Sequence, residues 1–133
     1  MPSDQTLQTY LDEAPLHALL GGFSVAATET GVVLEGSLSA TVENAAGSGV
    51  AHGGAAAMLL DAALTFALIA ATDHDWTTVD LRVDYLRPVP IAGVRVIGEV
   101  VQAGRRIGRA EGELVDHEGS VCARAVGTFT APP

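Results

Sequence analysis

His52-Gly53-Gly54-Ala55-Ala56-Ala57-Met58-Leu59-Leu60-Asp61-Ala62-Ala63-Leu64-Thr65-Phe66-Ala67-Leu68-Ile69-Ala70-Ala71 is the stretch that decides the fold. From Ala55 to Ala71 nearly every residue is apolar, and Asp61 is the only charge. A helix that is apolar on all sides belongs in an interior. An ionised carboxylate buried there without partners costs several kcal/mol, so Asp61 needs either a specific partner or a chemical task.

Seven residues separate Gly54 from Asp61, about two helical turns, which puts both on one face with Ala57, Met58, Thr65 and Leu68. The first N–H groups of a helix lack internal acceptors and carry the positive end of its dipole. Gly53 and Gly54 let another molecule approach those donors. Donors of this kind suit a carbonyl oxygen that gains negative charge, as in acyl transfer, and Asp61 can supply a general base or a nucleophile. Gly53 and Asp61 are nevertheless roughly 12 Å apart along the axis. One carbonyl can meet both only if two copies of the helix run antiparallel across a two-fold axis, which predicts a dimer with composite sites. The bland alternatives are a structural Asp61 tied to a backbone N–H or an Arg, and glycines that serve tight packing.

The flanking sequence reads as strands. Phe23 to Ala27 and Val32 to Val42 form two, joined at Thr30-Gly31. Thr77, Val79, Leu81, Val83 and Tyr85 alternate with Thr78, Asp80, Arg82, Asp84 and Leu86, a period of two. Val94 to Gln102, Ile107 to Val115 and Val121 to Phe129 complete about six strands, with turns at Ala103-Gly104 and His117-Glu118-Gly119. Ser3 or Asp4 caps a short N-terminal helix, and Pro15 opens a second turn or helix that ends at Gly21-Gly22. Residues 1–22 are thus expected to form a cover on a single α+β domain spanning 1–133, with 131–133 a frayed tail.

The chain has 7 basic and 16 acidic residues, a formal net charge of −9, which disfavours nucleic acid and anionic membrane as partners. It contains no Lys, and every Arg lies between Arg82 and Arg124. Schiff-base chemistry and the P-loop lysine are therefore excluded. A lone cysteine, Cys122, and the lack of a secretory pattern at the N-terminus point to a cytoplasmic protein. The run around Asp61 is nearly long enough to span a bilayer, but its central carboxylate and the strands that follow argue against a membrane span. His17, His74 and His117 are isolated, and no cluster has metal-ligand spacing, so no metal is expected. Gly47-Ser48-Gly49 lacks the flanks of a nucleophile elbow or dinucleotide loop and reads as a flexible loop.

His52-Gly53-Gly54, Asp61 nine residues after the histidine, and the strand Thr78-Val79-Asp80-Leu81-Arg82-Val83-Asp84-Tyr85-Leu86-Arg87-Pro88 together resemble the PaaI-like acyl-CoA thioesterases of the hotdog fold. The resemblance covers roughly Glu43 to Phe129. It implies one long central helix wrapped by a curved, mainly antiparallel sheet, a dimer of dimers with sites at subunit interfaces, and an acyl-CoA substrate with no cofactor beyond it. It also implies that the Gly53 amide polarises the thioester carbonyl while Asp61 of a partner subunit acts as base or nucleophile. Relatives place an amide side chain six residues before the histidine. Here Ala46 stands there, and Asn44 is the nearest candidate. Thr78 falls where relatives carry a hydroxyl near the attacking water.

His52 sits at the mouth of the helix, as a loop-shaping residue or a base. Gly54, Met58 and Thr65 line the expected acyl groove. Arg87, Arg105, Arg106 and Arg109 are the candidate anchors for coenzyme A phosphates, although Arg105-Arg106 at a turn is more often a solvated pair. Ala55, Ala56 and Ala57 leave room beside Met58, Leu64 and Phe66, so aromatic and medium-chain acyl groups both remain open. Hydration of an enoyl thioester would want a close His and carboxylate pair, which His52 and Asp61 do not supply. The rival function is a non-catalytic module that binds an acyl-CoA or a small aromatic acid.

Overall fold

The computed structural model describes residues 1–133. Two N-terminal helices, α1 (Asp4–Glu13) and α2 (Pro15–Leu20), precede the hairpin β1 (Gly21–Ala27) and β2 (Gly31–Leu38). After a 3-10 turn (Ala40–Val42) comes the long helix α3 (Gly53–Thr72), and then β3 (Thr77–Tyr85), β4 (Val94–Ala103), β5 (Ile107–Val115) and β6 (Val121–Thr130). The six strands form one antiparallel sheet in the order β1-β2-β4-β5-β6-β3, and α3 lies against its inner face.

Close approach of α3 to the middle of the sheet depends on a glycine. A Cβ at Gly98 of β4 would stand 2.5 Å from the Ala63 carbonyl oxygen and 2.7 Å from its carbon, inside any tolerable contact. With alanine on the helix and hydrogen on the strand, the two backbones meet, and Leu59, Leu60, Leu64 and Leu68 are buried around the contact. Leu68 and Leu64, expected on the open groove, therefore face the interior. The side of α3 left half-exposed carries Met58, Asp61 and Thr65.

The N-terminal helices lie against β1. Ser3 caps α1 by accepting from the Thr6 N–H at 3.2 Å, and Leu7, Leu11 and Leu20 are buried, each worth about 1.5–3 kcal/mol. The Gln8 amide behaves as an extra strand residue. It donates to the Phe23 carbonyl at 2.9 Å and accepts from the Val25 N–H at 2.9 Å, while Asp4 accepts from the Ala27 N–H at 2.8 Å. The outer edge of β1 is thereby closed by side chains, the usual remedy for an exposed sheet edge.

Two expectations need correction. β2 ends at Leu38 and does not reach Val42, because the Ser39 N–H is taken by the Leu20 carbonyl and the Ser39 hydroxyl caps the 3-10 turn. Nor does the tail fray from 131: Ala131 is buried and donates to the Arg106 carbonyl at 2.8 Å, which leaves Pro132 and Pro133 exposed. Replacing Gly98→Ala is expected to force helix and sheet apart and to cost about 1–3 kcal/mol, read as a lower midpoint in thermal or denaturant unfolding. An unchanged midpoint would show that the helix-to-sheet spacing is not limiting.

Candidate active site

The loop from Glu43 to His52 is tied to itself and to the sheet before it delivers the chain into α3. Glu43 and Ala51 pair across it, its carboxylate accepts from the Gly47 and Gly49 N–H groups, and the His52 N–H donates to Val42. His52 then caps the helix: its Nδ1 accepts from the Gly54 N–H at 2.9 Å, and its carbonyl accepts from the Ala55 N–H at 2.9 Å. An imidazole that accepts at Nδ1 carries its proton on Nε2. The ring is therefore committed to shaping the helix start, and the Gly54 donor is spent.

Gly53 is left as the first helical residue, and its N–H has no acceptor within the chain. A Cβ at Gly54 would stand 3.1 Å from His52 Nδ1, so a side chain there would push the capping imidazole back by a few tenths of an ångström. A Cβ at Gly53 would meet only the Tyr85 phenol, at 3.4 Å or more, so the fold of this chain makes no such demand there. Tyr85 donates its hydroxyl to the Gly53 carbonyl and so braces the first residue of the helix. The sequence places this tyrosine in the alternating strand and in the motif that carries the resemblance, with no sign of its role at the helix start. Partial burial raises its pKa above the ordinary 10.0, so it remains a donor throughout the physiological range.

Asp61 is half-buried, not sealed inside as the all-apolar helix suggested. The Thr78 hydroxyl of β3 donates to its Oδ1 at 2.7 Å, and no hydrogen bond within the chain engages Oδ2. Strict alternation would place Thr78 and Leu81, three residues apart, on opposite faces of the sheet. A β-bulge between Thr78 and Asp80 cancels one step: Thr78 pairs with Phe129 and Leu81 with Gly127, so both point toward α3. Bulges often re-aim a side chain beside a site in this way. The carboxylate opens onto a cavity of about 150 Å³ bounded by Met58, Thr65 and Phe66 of α3 and by Leu16 and His17 of α2.

The other expected site residues are dispersed. Thr65 gives its hydroxyl to the Asp61 main-chain carbonyl at 2.8 Å, so it lines the cavity without holding the carboxylate. Asn44 lies on the exposed loop, where its Oδ1 accepts from Ser48 at 2.7 Å and its amide NH2 stays free. Arg87 is exposed and follows Tyr85, at the Gly53 end of α3. Arg105 and Arg106 are exposed in the β4–β5 turn at the other end, since nearby Gly108 packs against Leu68 and Trp76. Cys122 is buried in β6, and desolvation raises its thiol pKa, in keeping with an inert core residue. No group of three or more His, Cys, Asp or Glu is placed to hold a metal ion.

The structure thus sets an uncommitted amide at a helix start and a hydroxyl-held carboxylate two turns along the same helix. The sequence profile of the thioesterase superfamily matches residues 48–123, more than half the chain and inclusive of both features. The chain belongs to the thioesterase superfamily. A thioesterase-superfamily protein of Bordetella bronchiseptica is 28% identical, with a TM-score of 0.87 over 96% of each chain. Zebra fish thioesterase superfamily member 2 is 21% identical, with a TM-score of 0.85 over 99% of this chain and 100% of that one. A Streptococcus mutans protein solved bound to acetyl CoA is 21% identical, with a TM-score of 0.74 over 84% of this chain and 89% of that one. No curated protein matches the chain significantly. The helix-in-sheet architecture of this thioesterase-superfamily member is the hotdog fold.

The Tyr85 brace gives the superfamily member a measurable pH signature. Because the folded-state pKa is raised, stability from the protonated phenol is present below about pH 10 and is lost as pH rises through the raised value. Unfolding midpoints of wild type and Tyr85→Phe are expected to differ by about 0.5–1.5 kcal/mol at neutral pH and to converge only as pH rises above the ordinary phenol value of 10.0. A difference independent of pH would mean that the phenol proton does not brace Gly53.

Proposed function

We propose that the protein hydrolyses acyl-CoA thioesters. The observation that carries this reading is the Asp61 carboxylate, held by Thr78 at 2.7 Å and open to a cavity, on a helix whose starting Gly53 N–H has no partner. The Gly53 N–H stabilises the negative charge that develops on the thioester oxygen. Asp61 either removes a proton from the attacking water or attacks the carbonyl itself, and Thr78 keeps its free oxygen aimed at the reacting carbon. Water adds to the acyl carbon, the carbon–sulfur bond breaks, and the products are the free acid and the CoA thiol. The acetyl CoA bound by the Streptococcus mutans neighbour supports a CoA thioester as the ligand class.

Gly53 and Asp61 of one chain are too far apart to serve a single carbonyl, so the working unit is a pair of chains with antiparallel α3 helices. The sheet edges favour this: β1 is closed by Gln8 and Asp4, whereas β3 pairs only with β6 and exposes Val79. An unpaired strand of this kind is a template for another chain. Each composite site draws Gly53 and Arg87 from one chain. Arg105 and Arg106 can reach it only from the chain that supplies Asp61. The free amide NH2 of Asn44 is a further donor beside the helix mouth.

Asp61→Asn keeps the Thr78 hydrogen bond and is expected to lower thiol release from acyl-CoA esters by about 10²-fold or more. Gly53→Pro removes the free N–H and adds a ring beside Tyr85, at a first helical position where proline is tolerated and after a residue already extended, with φ −56 and ψ 136. It should be comparably inactive. Mixing the two inactive proteins after unfolding and refolding should restore about one quarter of the sites, because half of the chain pairs are mixed and each mixed pair holds one intact site. No recovery would overturn the composite site. Tight binding of acyl-CoA with no turnover by wild type would favour the binding module.

A further inference from the structure

A second cavity adjoins the Asp61 cavity at two residues that line both, His17 and Ala62. The cavity at Asp61 has a volume of about 150 Å³. The second, of about 250 Å³, sits beneath the N-terminal cover between α1, α2, β1 and α3, with Leu11, Leu20, Phe23 and Leu59 among its walls. A group that extends from one cavity into the other has to pass between the His17 imidazole and the Ala62 methyl group.

The imidazole is held like a partition. Its Nδ1–H donates to the Leu11 carbonyl at 3.1 Å, since a carbonyl can only accept. Its ring stands edge-on to Phe66 at 6.1 Å and 75°. One hydrogen bond and one aromatic contact therefore hold the imidazole at the boundary between the two cavities. Beyond it the walls are mainly apolar, and the nearest charge is the Asp12 carboxylate at the rim. Such a space rejects an acyl group ending in a carboxylate and accepts a neutral hydrocarbon.

We infer that this second cavity is the acyl chamber of the enzyme, that it takes medium-length or aryl hydrocarbon acyl groups, and that His17 and Ala62 set their size. The inference rests on the thioesterase reading and extends it to a substrate class: the carbonyl is at Asp61 and the acyl tail passes His17 toward β1. Acetyl groups end before the passage and gain nothing from the chamber. A hexanoyl or phenylacetyl group crosses it, and a succinyl group meets apolar walls and Asp12.

The test compares kcat/KM for acetyl-, hexanoyl-, phenylacetyl- and succinyl-CoA in wild type, His17→Ala and Ala62→Leu, each checked for an intact fold by its unfolding midpoint. Wild type is expected to prefer hexanoyl- or phenylacetyl-CoA over acetyl- and succinyl-CoA by about tenfold or more. Ala62→Leu, or Ala62→Val should the larger side chain prevent folding, is expected to lower the hexanoyl-to-acetyl ratio about tenfold. His17→Ala is expected to shift preference toward bulkier acyl groups. The same esters are titrated against Asp61→Asn, where affinity is read without hydrolysis and the affinity ratios should follow the same pattern. Ratios that neither variant moves, in turnover and in binding, overturn the chamber while leaving hydrolysis intact. Affinity ratios that follow His17 and Ala62 in a protein with no turnover of any ester overturn hydrolysis and uphold the chamber.

Discussion

The contact between the Gly98 backbone and the Ala63 carbonyl is the constraint on which the rest depends. Because β4 offers no side chain there, α3 sinks into the concave face of the sheet. The leucines around the contact are fully buried, and one side of the helix is left uncovered. Met58, Asp61 and Thr65 lie on that side. A shallower helix would present Asp61 to bulk water, and a fully wrapped one would entomb it. The half-buried carboxylate is thus a product of packing distance, not of local sequence alone.

The carboxylate is then aimed by an irregularity. Without the bulge at Val79, Thr78 would face outward with Asp80 and Arg82, and Asp61 would have no hydroxyl within reach. The helix start is built on the same principle of commitment. His52 takes one of the first donors, Tyr85 secures the neighbouring carbonyl, and the Gly53 N–H alone stays unspent. Polar groups that would be costly to leave unpaired are matched within the fold, and those left over mark where another molecule belongs.

Much of this was legible in the sequence. The apolar run with one carboxylate specified a central helix, the period-two segments specified the strands, and the spacing of Gly53 from Asp61 implied that the two cannot meet within one chain. Features that depend on register or on non-local docking were not legible. Alternation from Thr77 to Leu86 carries no sign of a bulge, so the partnership of Thr78 with Asp61 had no local signal beyond family resemblance. His17 looked isolated because nothing near it in sequence reveals that α2 docks beside Asp61. Tyr85 reads as one more strand aromatic until β3 is laid beside the start of α3. The end of β2 was overrun because Ser39 and Leu20 settle it from opposite ends of a segment unrelated in sequence.

The unequal edges of the sheet carry one more consequence. Gln8 and Asp4 occupy the hydrogen-bonding groups along β1, so that side cannot recruit a strand, while β3 stays available. A sheet with one sealed margin can be lengthened once. Two copies joined through β3 would present only sealed margins to the surroundings, and growth would stop. The N-terminal helix, besides burying Leu7 and Leu11, would thereby act as a terminator that favours a finite pair over an open-ended fibre.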